Sequence, residues 1–298
     1  MKELLMSMRR SLWGMAGRRS IRRSGEKFHA LFPAKRQIER RVAFADLPLK
    51  RWILLATNLG FPIGQAIFGA SSLGLAVEMV AHGLMFYAFV APGCGWLVPV
   101  ITRFRPEGKQ LWLTIDDGPI DEKTSRLALE LSRRGARATF FVIGQRLANY
   151  PEIAQSVAGA GHTLANHTMT HPLASFFYLF PQALAQEIDS CAALLPKTDS
   201  AEGMWFRSPF GIKNLFLERM LVARKLRMIA WSLRAHDGLI CRTASVIQRI
   251  VNAVRTGDII LMHERGSENL DAILGVVDEL QRRGFSFVIP TDAQLIQG

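Results

Sequence analysis

Between Trp52 and Ile101 the chain carries one charged residue, Glu78, and this stretch limits its folding options more than any other feature. Trp52–Val77 and Met79–Ile101 are both free of charge, and each reaches the roughly 20 residues a helix needs to cross a bilayer core. The expectation is a transmembrane helical hairpin over 52–102, broken near Glu78. Pro62 and the Gly60-x-x-x-Gly64 spacing fall in the first run, and Pro92, Gly93 and Gly95 in the second, which leaves the helix ends open. A cleaved secretory signal fits poorly, because its apolar core is ~7–15 residues long and closer to the start of the chain.

The net charge of +12 would suit a nucleic-acid binder if it were spread evenly. It is not. Residues 1–51 hold 14 Lys/Arg against 4 Asp/Glu, whereas residues 103–298 hold 23 against 20. The excess therefore belongs to a basic tail beside the apolar stretch, with pairs such as Arg9–Arg10, Arg18–Arg19 and Arg40–Arg41. Aromatic platforms for bases are sparse there, so a disordered cytoplasmic tail is favoured over an RNA-binding arm, and no nucleic-acid partner is expected. Lys and Arg near span ends favour the cytoplasm. A hairpin would return the chain to that side, in agreement with Arg103, Arg105 and Lys109, and would place the 103–298 domain in the cytoplasm on a bacterial-type inner membrane. A single span would place it outside. Cys94, Cys191 and Cys241 show neither a disulfide framework nor a zinc-knuckle spacing.

From Arg103 to Gly298, β-type runs alternate with helical ones. Strands are expected at Leu111–Asp116, Ala138–Ile143, near Thr163, and at Met204–Arg207, Met228–Leu233, Ile259–His263 and Phe285–Ile289. Helices are expected at Glu122–Arg134, Pro151–Gly159, Pro181–Leu195, Ile212–Leu226, Ala244–Arg255 and Asn269–Arg283. This order calls for an α/β domain with a parallel sheet, open or closed into a barrel.

Polar residues gather just past the expected strand ends, where α/β enzymes carry their chemistry. Asp116 and Asp117 end one strand before Gly118-Pro119; one could bind metal while the other handles a proton. His167 and His171 are four residues apart and can face one ion if the segment turns helically. With Asp117 they would give two nitrogens and one carboxylate, leaving positions for water and substrate. Arg207-Ser208-Pro209-Phe210-Gly211, Asp237 and His263 follow at later strand ends. Singly, each has an ordinary explanation: an Asp-Gly turn, a chance pair of histidines, a surface ion pair. Their joint, ordered appearance favours a site.

In that order the motifs resemble the polysaccharide deacetylases with the NodB homology domain, carbohydrate esterase family 4. Thr114–Pro119, His167–Pro172, Arg207–Gly211, the segment ending at Asp237, and Leu261–His263 correspond to the family's five motif regions. The resemblance implies a distorted (β/α) barrel of NodB type and hydrolysis of an N-acyl, usually N-acetyl, group on an amino sugar. It further implies a divalent metal, most simply Zn²⁺, on Asp117, His167 and His171. Asp116 would be the base and His263 the acid, with Arg207 orienting Asp116 and Asp237 holding His263 cationic. Pro209 and Phe210 would line the substrate, with a backbone N–H near Phe210 facing the oxyanion. The fourth motif departs from the family: Arg234 and Gly238 stand where well-known members have Asp and Trp, which weakens the expectation of a long polymer. A polysaccharide, an oligosaccharide or a lipid-linked glycan remains open as substrate. The rival from another class is a membrane-bound, non-catalytic NodB-fold binding module.

Overall fold

The computed structural model describes residues 58, 62–63, 65–66, 71–173, 175–196, 204–237, 242–264 and 266–297, the last segment through its backbone alone at 266–268. The basic tail and most of the first apolar run lie outside them. Residues 58, 62–63 and 65–66 are helical, and the first element described in full is α1 (Ser72–Val90), capped by the Ser71 hydroxyl, which accepts from the Gly74 amide. Glu78 therefore lies inside a helix and does not separate two. A cap with free amides ahead of it starts a helix, whereas one carboxylate does not stop it. The second expected span ends early for a related reason. Beyond Val90 the apolar residues Leu97, Val98, Val100 and Ile101 are buried in the α/β domain, and Val100–Phe104 forms strand β1.

The remaining elements are β2 (Gln110–Gly118), α2 (Glu122–Arg133), β3 (Ala138–Val142), α3 (Gly144–Asn149), α4 (Pro151–Gly159), β4 (Thr163–Asn166) and α5 (Pro181–Ala192). After them come β5 (Trp205–Phe206), α6 (Leu217–Ala223), β6 (Arg227–Ile229), β7 (Leu233–Arg234), α7 (Thr243–Ala253), β8 (Ile259–His263), α8 (Gly266–Arg282), β9 (Ser286–Phe287) and β10 (Leu295–Gln297). The sheet runs β10-β1-β6-β5-β4-β3-β2-β8-β7, with β9 added to β2. Its pairings are parallel except that of β1 with β10.

The run expected as one strand at Met228–Leu233 is two short strands at distant places in this order, β6 beside β1 and β7 beside β8. Only residues 230–232 join them, so Ile229 and Leu233 lie about 14 Å apart at most. So short a bridge requires the sheet to curl until its two sides approach. The antiparallel bridge between Arg103 and Asp258 makes the same closure, and the sheet is a curled half-barrel. Alternation along each strand then sorts side chains into two cores. Leu111, Leu113 and Ile115 face the outer helices together with Phe140, Ile260 and Met262, while Trp112, Phe141, Ala165, Trp205, Ile229 and Ile259 fill the interior.

Candidate active site

The interior parity is what builds the site. Continuing two residues at a time from the interior core reaches Thr114 and Asp116 on β2, His167 after β4, Arg207 after β5 and His263 on β8. All lie toward the C-terminal mouth of the parallel strands, and Asp116 and His263 are register partners on adjacent strands. Asp117 has the opposite parity and would point outward if the strand continued. A register shift between Asp116 and Gly118, with Asp117 at φ 72°, turns it back to the mouth; Asp tolerates this left-handed conformation better than most residues.

Asp117, His167 and His171 come together, each offering one ligand atom within 4.8 Å of the others. His167 Nε2 lies 3.6 Å and His171 Nε2 3.5 Å from Asp117 Oδ1. Donors each about 2.1 Å from a tetrahedral ion stand about 3.4 Å apart, so this set fits a first-row divalent cation. The expected helical turn between the histidines is absent: Thr168 and His171 have φ of 67° and 55°. A loop takes its place, held by the Glu187 carboxylate, which accepts from the amides of Met169 and Thr170 and from the Thr170 hydroxyl. His167 Nδ1 donates to the Arg207 carbonyl at 2.8 Å, which leaves Nε2 as the lone-pair nitrogen facing the acids. Burial opposes ionisation of Asp117, but His167, His171 and His263 outweigh it and hold the carboxyl well below its usual range. For His167 burial disfavours the cation, and the charges of Asp116 and Asp117 reverse that and raise its pKa.

Asp116 is held by Arg207, whose guanidinium is wholly buried. Nη1 donates to Asp116 Oδ1 at 2.6 Å and to Thr114 Oγ1 at 2.9 Å, Nε to the Ile229 carbonyl at 3.0 Å, and Nη2 to the Ala230 carbonyl at 2.9 Å. The group lies 4.0 Å from the Phe141 ring centroid. Burial lowers the Arg207 pKa and Asp116 offsets part of this; a guanidinium stays charged regardless. Asp116 Oδ2 is left facing the ligand cluster, 3.7 Å from His167 Nε2. Asp237 grips His263 twice: Oδ1 accepts from ring Nδ1 at 2.7 Å and Oδ2 from the backbone N–H at 2.6 Å. That fixes the ring with Nε2 directed away from Asp237.

Phe210 is half-exposed with its ring 5.8 Å from that of His171, so it forms a wall of the mouth. Pro209 is buried beneath the same loop. Arg234 lies over the Trp231 ring at 6.0 Å, and Gly238 falls outside the described residues. Three further groups were not singled out by sequence. Arg146 donates to the Asp117 carbonyl, buried Glu264 accepts from the Thr124 hydroxyl against the Gly118 turn, and Lys213 fastens α1. The Lys213 amide donates to the Phe89 carbonyl at 2.8 Å and its ammonium to the Ala91 carbonyl, so the C-terminal end of α1 is tied to the Arg207–Gly211 loop. Burial lowers the Lys213 pKa to about 8.

A family model described as polysaccharide deacetylase matches residues 104–228. A chitooligosaccharide deacetylase of Bradyrhizobium sp. (strain ANU 289) is 30% identical over 192 residues, covering 59% of this chain and 87% of that protein. A chitooligosaccharide deacetylase of Rhizobium leguminosarum bv. trifolii is 28% identical over 194 residues, covering 60% and 89%. The solved structure of the peptidoglycan deacetylase PdaC from Bacillus subtilis matches with a TM-score of 0.55 and 26% identity, over 61% of this chain and 88% of that one.

Proposed function

The chain belongs to the polysaccharide deacetylase family, hydrolases of amide bonds, and we propose that it removes acetyl from an N-acetylated amino sugar with the help of a divalent metal. The observation that carries this reading is the convergence of Asp117, His167 and His171 on one point beside Asp116 and its register partner His263. Asp117, His167 and His171 would hold the ion, most simply Zn²⁺ or another first-row cation. When bound it supplies Lewis acidity, making water more acidic and the amide carbonyl more electrophilic.

The protein groups do the rest. Asp116, paired with and oriented by Arg207, takes the proton from the attacking water through its outward oxygen. A backbone N–H at Phe210 faces the oxygen on which charge develops. His263, its ring fixed by Asp237, protonates the amine nitrogen as the C–N bond breaks, since an amine leaves poorly unless protonated. The products are acetate and the free amino sugar. Phe210 packs against the sugar, and Pro209 shapes the turn that presents it.

Membrane attachment is part of the same proposal. α1 is long and apolar enough to cross a bilayer, with 6% of its apolar window buried. Asn58 Nδ2 lies 3.4 Å from the Ala81 carbonyl, and Gln65 Nε2 donates to the Glu78 carboxylate at 2.6 Å, so a preceding segment runs alongside it. These two contacts support a hairpin anchor ahead of the catalytic domain, with the basic tail and the domain both on the cytoplasmic side of a bacterial-type inner membrane. A reporter fused at Gly298 tests the side: cytoplasmic activity is expected, and exclusively external activity would reject the hairpin. Asp116→Asn with fold and metal retained should abolish acetate release; undiminished release would remove the assigned base.

A further inference from the structure

A cavity of about 640 Å³ opens between α1 and the loops that carry the site, within the range of pockets for small ligands. Met85, Phe86 and Phe89 of α1 form one wall, with Leu173, Phe177 and Ile212 opposite. Its described lining contains no Asp, Glu, Lys or Arg, and its polar side chains are those of Asn58, His82 and Tyr178. Such a wall rejects a sugar, whose hydroxyls would lose water without gaining partners, and accepts hydrocarbon.

The position is as informative as the lining. Leu173 follows the metal-ligand candidate His171 by two residues, and Ile212 follows the mouth residue Phe210 by two, so the cavity adjoins the catalytic mouth. Three of its lining residues, Phe177, Tyr178 and Phe180, are also 46%, 60% and 76% exposed, so one side of the cavity ends in an aromatic rim, a feature suited to a membrane interface. The Lys213 contacts hold the helical wall against the catalytic loop, and Phe89 meets the Phe177 ring edge-on at 6.3 Å. The cavity therefore joins an apolar, bilayer-competent helix to a site for a polar headgroup.

Resting on the deacetylase reading above, we infer that this cavity seats the hydrocarbon tail of an amphiphilic substrate, an N-acetylated amino sugar linked to a lipid, while the sugar enters the barrel mouth. The test uses the full metal-loaded chain in phosphatidylcholine nanodiscs. Its probes are methyl and dodecyl N-acetylglucosaminides and a dodecyl glycoside with a terminal photoreactive diazirine. Saturable labelling of peptides from Met85–Val90, Leu173–Phe180 or Ile212–Phe216 is expected, competed by unlabelled dodecyl but not by methyl glycoside. kcat/KM should favour dodecyl over methyl by about 100-fold or more, the worth of three to four seated methylenes at about a factor of four each. Phe177→Ser should shrink that ratio. Equal kcat/KM for the two glycosides, or labelling confined to other peptides, would overturn the inference. Labelling that unlabelled dodecyl glycoside fails to compete would assign the cavity to a bulk phospholipid chain, and would overturn it equally. Competed labelling without acetate release from either glycoside would support the tail site and overturn the deacetylase reading.

Discussion

Asp116 and Arg207 are expected to be coupled in stability as well as in catalysis. Both are nearly sealed from solvent, with side-chain exposures of 4% and 0%, and joined at 2.6 Å. Arg207→Met removes the charge and four donated hydrogen bonds and strands the carboxylate; Asp116→Asn strands the guanidinium. Breaking a buried pair from one side costs about 3–5 kcal/mol. For a domain of this size that lowers the melting temperature by roughly 6–20 °C. The double variant carries neither charge, so its loss should fall short of the summed single losses by about 2–3 kcal/mol. Urea unfolding of the full chain in micelles, followed by tryptophan fluorescence, reads this directly, because Trp112 and Trp205 stand in the barrel interior with ring centroids 4.7 Å apart. Additivity within about 0.5 kcal/mol would refute the view that Arg207 exists to pair with and orient Asp116.

Glu264 offers a pH test. Burial pushes its carboxyl up from 4.5 to about 7, and the Thr124 hydroxyl opposes part of the rise. Between those values the folded chain holds a proton that the unfolded chain releases, so stability should fall as pH rises through the window, by on the order of 3 kcal/mol, and level off above it. Glu264→Gln should flatten that dependence in melts across pH 4.5 to about 7; an unchanged slope would exonerate Glu264. Asp237→Asn places an amide N–H₂ where Oδ1 or Oδ2 now accepts from His263, setting donor against donor. kcat should drop about 10²–10⁴-fold with KM little changed, the usual worth of a positioned acid; a loss within a few-fold would dissociate Asp237 from the acid.

The acids and histidines could be found in the sequence because each ends an apolar run or interrupts a turn, and because their order along the chain matches a family. Pro151–Gly159 was readable to its ends, since Pro starts and Gly stops a helix. Strand β1 was not, because its apolar residues continue the membrane-like run without a break. Strand β7 was hidden in the same way, since nothing in Met228–Leu233 marks where the chain leaves one side of a curled sheet for the other. The loop geometry of His167–His171 depends on Glu187, a partner on a different helix, and the role of Lys213 depends on where α1 ends. Such partners are set by tertiary contacts, which local spacing does not encode.

The most direct test of the whole account is acetate release from an N-acetylglucosamine oligomer or glycoside by the full chain, measured as isolated, after chelation, and after returning Zn²⁺. Activity should vanish with the metal and return with about one equivalent per chain, and His167→Ala should neither retain the ion nor recover. Full acetate release from thoroughly stripped protein would contradict a metal centre at Asp117, His167 and His171.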